Sequence, residues 1–127
     1  MFVIEDRGFI LDTSCLAQEE RIAFFTSLCR LQSGKILCGF QIGPKKQAVT
    51  STIGLCQSTD AGQTWQRLPV HFETHIDGVP GSLSTAEVVE AYSGRLLLFA
   101  TWFDRNDPDR PLFDPITEGI LKSKQLL

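Results

Sequence analysis

The chain has 127 residues, of which 43% are hydrophobic and 21% charged, and its formal net charge is -3. These values are ordinary for a single globular domain. Acidic and basic residues are scattered without a basic stripe, which argues against a nucleic-acid partner. No apolar run approaches the roughly 18 residues that a membrane-spanning helix needs, so no membrane partner is expected.

The first segment, residues 1–14, is predicted to be an additional N-terminal strand, with residues 1–11 as its extended part. Glu5 and Asp6 interrupt the apolar residues, and no basic stretch precedes them. The segment therefore lacks the pattern of a secretory signal. With Met1 as the natural start, the chain is expected to stay in the cytoplasm.

The chain contains four cysteines, Cys15, Cys29, Cys38 and Cys56. They form no CxxC pair, so neither a zinc site nor a redox motif is indicated, and most are expected to be buried thiols. His71 and His75 are four residues apart, but this spacing suggests a metal site only on a helix. No metal and no cofactor are expected.

An internal repeat organises the rest of the chain. The residues Ser33-Gly34-Lys35-Ile36-Leu37 match Ser93-Gly94-Arg95-Leu96-Leu97, and the segment 54–58 resembles 119–123 in the same order. A period of this size is typical of a propeller blade or a similar array. The sequence therefore predicts one complete structural unit followed by most of a second.

Each unit is predicted to be a strand, a Ser-Gly turn, a strand, a loop and another strand. Glycine supplies the positive φ that such a tight turn needs. Residues 35–41 and 95–103 are nearly unbroken apolar runs, which suit strands buried on both faces. In the first unit, residues 52–57 give the third strand and residues 65–72 the fourth.

A helical alternative competes with this interpretation. Apolar residues between Leu16 and Leu31 recur near a 3.6-residue period, and Ser84-Thr85-Ala86-Glu87 matches a capping box. The repeat favours strands, because both units share the same turn and the same following apolar run. An all-β fold is therefore predicted.

The segment 58–65 reads STDAGQTW and follows a strand-like stretch. Asp60 can accept hydrogen bonds from the backbone amides of its own turn, and Gly62 can adopt a positive φ. Ser58 and Thr64 can bond across the mouth of the hairpin, and Trp65 offers a large apolar anchor. These five residues are expected to stabilise the fold rather than to act on a ligand.

This pattern, S-x-D-x-G-x-T-W, resembles the Asp box, or bacterial neuraminidase repeat, of sialidase-like β-propellers. The resemblance implies four-stranded antiparallel blades, with the Asp box between the third and fourth strands, on the face away from the active site. It places a first blade at residues 22–72 and a second, incomplete blade at 84–127. The chain is too short for the whole propeller.

The resemblance also implies where sialidase chemistry would lie. In that family an arginine before the first blade binds the sialic acid carboxylate, an Asp after the second strand is the acid/base, and a late Tyr-Glu pair is the nucleophile. Arg21 partly matches the arginine motif, although Ala23 stands where the family has proline. No Asp follows the strand that ends near Gln41, and Tyr92 is expected in the core.

A loop rich in aromatic and charged residues follows the predicted second strand of the second unit. Trp102 or Phe103 could stack on a sugar, and Asp104 and Arg105 could bond its hydroxyls or its carboxylate. Asp104 and Asp107 are the weak catalytic candidates. The alternative for this whole segment is a solvated loop with Asp-Pro turns.

The leading functional hypothesis is a carbohydrate-active propeller, a glycoside hydrolase of the exo-sialidase type in its full-length form. The alternatives are a non-catalytic propeller that binds glycans or proteins, and an enzyme that uses Asp104 or Asp107 on other substrates. The isolated chain is expected to be inactive. Besides a glycan, its expected partner is either a second copy or the remainder of a longer propeller, because incomplete blades expose apolar faces.

Overall fold

The computed structural model describes residues 3–4, 6–117 and 119, and their architecture is all-β with antiparallel sheets. The strands are β1 (Ile22–Arg30), β2 (Ile36–Gly43), β3 (Thr52–Ser58), β4 (Gln66–Arg67), β5 (His75–Ile76), β6 (Val79–Glu90) and β7 (Leu96–Asp104). The first sheet has the order β1-β2-β3-β4 and the second β5-β6-β7. These two sheets do not close into a ring within the described part of the chain.

Helices are limited to two short 3-10 turns, Thr13–Cys15 and Gln18–Glu20, among the residues that the structure describes. The helical alternative is therefore wrong for both of its segments, since β1 occupies most of the first and β6 contains the second. None of the described helices has the length and apolar character that crossing a membrane would require.

The repeat has a structural counterpart in the two Ser-Gly turns, residues 31–35 and 91–95. In each turn the first amide donates to the last carbonyl, at 2.8 Å in the first unit and 2.9 Å in the second. Gly34 and Gly94 take positive φ angles of 87° and 74°. The turns thus have the same conformation at positions 60 residues apart, as the sequence match predicts.

A second correspondence is a bulge at the same place in the first strand of each unit. The register of β1 against β2 shifts between Phe24 and Ser27, and that of β6 against β7 shifts between Ser84 and Glu87. A non-glycine residue with positive φ lies in each bulge, at Phe25 (51°) and Thr85 (56°). The two units therefore share an irregularity as well as a turn.

The N-terminal strand predicted for residues 1–14 is not present in the described part of that segment. Residues Ile10, Leu11 and Leu16 instead pack on one face of the first sheet. The buried side chains of that face are Cys38, Phe40, Ile42 and Cys56, and Trp65 packs on them as well. Apolar residues in an extended segment can cover a sheet face without joining its hydrogen-bond ladder, which explains the wrong prediction.

The opposite face of the first sheet packs against the second sheet. Gly39 lies at the contact, where a Cβ atom would stand 3.1 Å from Val88 Cγ2 and 3.2 Å from Ala86 Cβ. A buried cluster of Ile53, Leu83 and Ala86 continues this interface. The two sheets therefore form one core, and glycine at position 39 allows their close approach.

The outer face of the second sheet is open. Alternation along β7 turns Leu97 and Phe99 away from the first sheet, and they remain 39% and 57% exposed. The prediction of strands buried on both faces is thus confirmed for β2 and wrong for β7. The predicted fourth strand, residues 65–72, is also shorter than expected, because only β4 pairs with β3.

Candidate functional site

The two ends of the sheets differ in composition. Segment 58–65, named the Asp box here only for its resemblance to that motif, and both Ser-Gly turns lie at one end, since β3 runs toward residue 58 and β1 toward residue 30. The opposite end, named the loop end, carries residues 44–51, 68–78 and 105–113.

The Asp box is closed by side-chain hydrogen bonds centred on Asp60. Its Oδ1 accepts from Ser58 Oγ at 2.8 Å and from Thr64 N at 2.9 Å, and its Oδ2 accepts from Thr64 Oγ1 at 2.5 Å. The amide of Gly62 donates to Ser58 Oγ at 2.8 Å, and Trp65 Nε1 donates to the carbonyl of Gly62 at 3.0 Å. All five predicted residues therefore join one hairpin network.

The charge of Asp60 is stabilised by this network. Hydrogen bonds from the Thr64 side chain and amide, and then from Ser58, lower the pKa of Asp60 from 3.8 to about 2. Ala61 and Gly62 turn the chain with φ angles of 60° and 93°. These contacts hold the hairpin of residues 58–65 together.

Arg105 is the central side chain of the loop end. It is only 7% exposed, and it connects the two sheets. Its Nε donates to Ser82 Oγ at 2.7 Å, and its Nη2 donates to the carbonyl of Gln47 at 3.0 Å. Gln47 has a positive φ of 54°, so Arg105 holds a strained backbone position of the loop between β2 and β3.

A groove of about 570 Å³ lies between residues 44–50 and 105–113, and Arg105 forms part of its wall. This volume is in the range of small-molecule sites. Its charged lining residues are the basic Lys45, Lys46, Arg105 and Arg110 and the acidic Asp109. The groove therefore has a positive balance, whereas the chain as a whole has a net charge of -3.

Trp102, predicted to stack on a sugar, belongs to the core instead. It packs with Leu83 in the interface between the sheets, and its Nε1 donates to the carbonyl of Thr74 at 2.9 Å. Its ring also covers Gly81, where a Cβ atom would collide with the indole. Trp102 is therefore unsuited to the predicted stacking role, because strand alternation directs it toward the first sheet.

The two catalytic candidates lie in turns of the loop end. Asp104 Oδ1 accepts from Asn106 N at 2.8 Å, and Asp107 Oδ1 accepts from Asp109 N at 3.2 Å. Each of these contacts joins a carboxylate to the backbone two residues ahead, as in an Asx turn. Arg21 is exposed just before β1, so it also lies at the loop end, but it is not among the residues that line the groove.

Tyr92 was expected in the core, and this prediction is wrong. It lies in the 91–95 turn and is fully exposed, at the end of the sheets opposite the groove. No role was predicted for Lys45, Lys46 or Gln47, which line the groove. The Pro-Lys-Lys run after β2 is the signal that could have indicated a basic loop.

Comparisons with protein-family models, with curated proteins and with solved structures find no match for this chain. A cluster of at least three potential metal-ligating His, Cys, Asp or Glu side chains is likewise not found among the described residues.

Proposed function

We propose that this chain forms the first blades of a sialidase-like propeller and binds an acidic glycan in the groove at its loop end. The Asp-box network, the turn and bulge repeated after 60 residues, and the packing of one sheet on the next support the propeller part of the proposal. In this proposal the first sheet is the first blade, and β6 and β7 begin the second.

The burial of Arg105 carries the binding part of the proposal. Its guanidinium bonds only neutral acceptors, and no carboxylate of the described residues forms an ion pair with it. Burial lowers the pKa of Arg105, yet an arginine side chain stays protonated in proteins. Because buried charges are normally paired, an anionic group in the groove would supply the missing counter-charge.

Binding is proposed for this chain in preference to hydrolysis. Most glycosidases use two carboxyl groups facing one another across the scissile bond, whereas sialidases pair an Asp acid/base with a Tyr-Glu nucleophile. Asp104 and Asp107 accept hydrogen bonds from backbone amides of their own loop, and the Asp expected after β2 has no counterpart in the sequence. Catalysis in a longer propeller would need residues from other blades.

The proposal can be tested by NMR titration with sialyllactose, using lactose as the neutral ligand. Sialyllactose is expected to shift the amide signals of residues 44–50 and 105–113, and lactose to leave them unchanged. The double variant Lys45→Gln/Lys46→Gln removes two exposed charges of the groove and should weaken binding at least severalfold. Lys35→Gln is the control, because it removes an exposed charge at the opposite end.

Three outcomes would contradict the proposal: equal shifts with lactose, shifts confined to the Asp-box end, or no shifts with either sugar. A fluorogenic sialoside should also be left intact by the isolated chain. Turnover above that of a heat-inactivated sample would instead support hydrolysis.

A further inference from the structure

Two buried polar side chains in the interface between the sheets have no hydrogen-bonding partner among the described residues. Gln41 is 2% exposed and Ser51 is not exposed at all. Neither amide atom of Gln41, nor Ser51 Oγ, has a hydrogen-bonding partner in the part of the chain that the structure describes. Leaving such groups unpaired costs free energy, and buried polar groups in folded proteins are nearly always bonded.

The strand register places the two side chains close together. Gln41 pairs with Ile53, which belongs to the cluster between the sheets, so Gln41 faces the second sheet as well. Ser51 precedes β3 and lies beside Gly43, since a Cβ atom on Gly43 would stand 2.9 Å from Ser51 Oγ. Gln41 and Ser51 are thus diagonal neighbours on one face, with Cα atoms about 7–8 Å apart.

The groups around Gln41 and Ser51 define the chemistry of a molecule that could bridge them. Gly43 carries no side chain there, and the carbonyl of Ser51 is already bonded to Leu83 N of the second sheet at 2.9 Å. The Gln41 amide offers donors and an acceptor, and the Ser51 hydroxyl offers both as well. A ligand that satisfies them must therefore be small and neutral and must donate and accept hydrogen bonds.

We propose that one buried water molecule binds at this position and bridges Gln41 to Ser51. Two hydrogen bonds through a water oxygen span about 5.6 Å, which suits diagonal neighbours when one of them has the long side chain of glutamine. Internal waters typically make about three hydrogen bonds to such groups. The bound water would join the end of β2 to the start of β3, and so fix both ends of the loop that forms one wall of the groove.

A double-mutant cycle tests this inference, with unfolding by urea as the measurement. Gln41→Met and Ser51→Ala should each raise the unfolding equilibrium constant by about fivefold or more, because each removes a ligand of the same water. The double variant should then be hardly less stable than the worse single variant. Additive losses, or a Gln41→Met variant more stable than the wild type, would overturn the proposal.

NMR on the unmodified chain provides a measurement that does not depend on the variants folding. The side-chain amide protons of Gln41 should show a nuclear Overhauser effect to a long-lived water, and this effect should disappear in Ser51→Ala. Absence of a long-lived water near the Gln41 amide of the wild type would refute the inference. Ser33→Ala, in the turn at the Asp-box end, is the control that should leave the effect unchanged.

Discussion

The packing of the two sheets can be tested at Gly39. A Cβ atom at this position would lie 3.1 Å from Val88 Cγ2, 3.2 Å from Ala86 Cβ and 3.4 Å from the Ala86 carbonyl oxygen. The first two distances are shorter than ordinary van der Waals contact, and the Ala86 Cβ atom can move only together with its backbone. Overpacking of this kind costs about 1–3 kcal/mol, so Gly39→Ala should destabilise the chain by that amount.

Urea unfolding followed by tryptophan fluorescence provides the measurement. With a slope of roughly 1–3 kcal/mol per molar urea, a loss of about 2 kcal/mol lowers the midpoint by roughly 1 M. Gly8→Ala is the matched control, because no atom lies within 4 Å of a Cβ at that position. If Gly39→Ala unfolds at the wild-type midpoint, the second sheet does not pack on the first in the way described.

Three further predictions concern the Asp box, the open face and Trp102. Because the pKa of Asp60 is about 2 when folded and 3.8 ordinarily, its ionised form stabilises the fold above pH 4. That contribution should disappear as the pH falls through 2, and the Asp60→Asn variant should lack it at every pH. Identical urea midpoints for the wild type and the variant from pH 5 to 2 would contradict this. The chain should self-associate through the open face of β7. In light scattering, Phe99→Asp should shift it toward the 14.2 kDa monomer, and a wild type that is already monomeric would refute this prediction. Trp102→Phe should cost about 1 kcal/mol through the lost bond to Thr74 without weakening sialyllactose binding, and a selective loss of binding would restore its predicted sugar-stacking role.

Local signals predicted much of the fold. The Ser-Gly turns, the apolar runs after them and the Asp-box hairpin depend on residues close in sequence, and the structure has each of them near its predicted position. The bulges had no such signal. Neither Phe25 nor Thr85 is a residue type that favours positive φ, so the surrounding sheets must impose that conformation.

The candidate site was harder to predict because it depends on contacts between distant segments. The burial of Arg105 follows from its bonds to Ser82 and to Gln47, the latter 58 positions away in sequence. The same limit explains why Trp102 was expected to stack on a sugar, since the sequence alone did not show which side of β7 would face the first sheet. Aromatic and charged residues next to one another suggested a sugar site, and the structure places only Arg105 at the groove.

The bulges of Phe25 and Thr85 also bear on how this chain avoids misassembly. Among the described residues, β1 pairs only with β2, and the bulged part of β6 pairs only with β7, so each bulge interrupts a strand that has an unpaired side there. A regular strand with a free edge is a template for pairing with foreign strands, and a bulge twists that edge out of register. Deleting the bulged residue of either strand would straighten it, and this would remove local strain but increase the tendency to form fibrils.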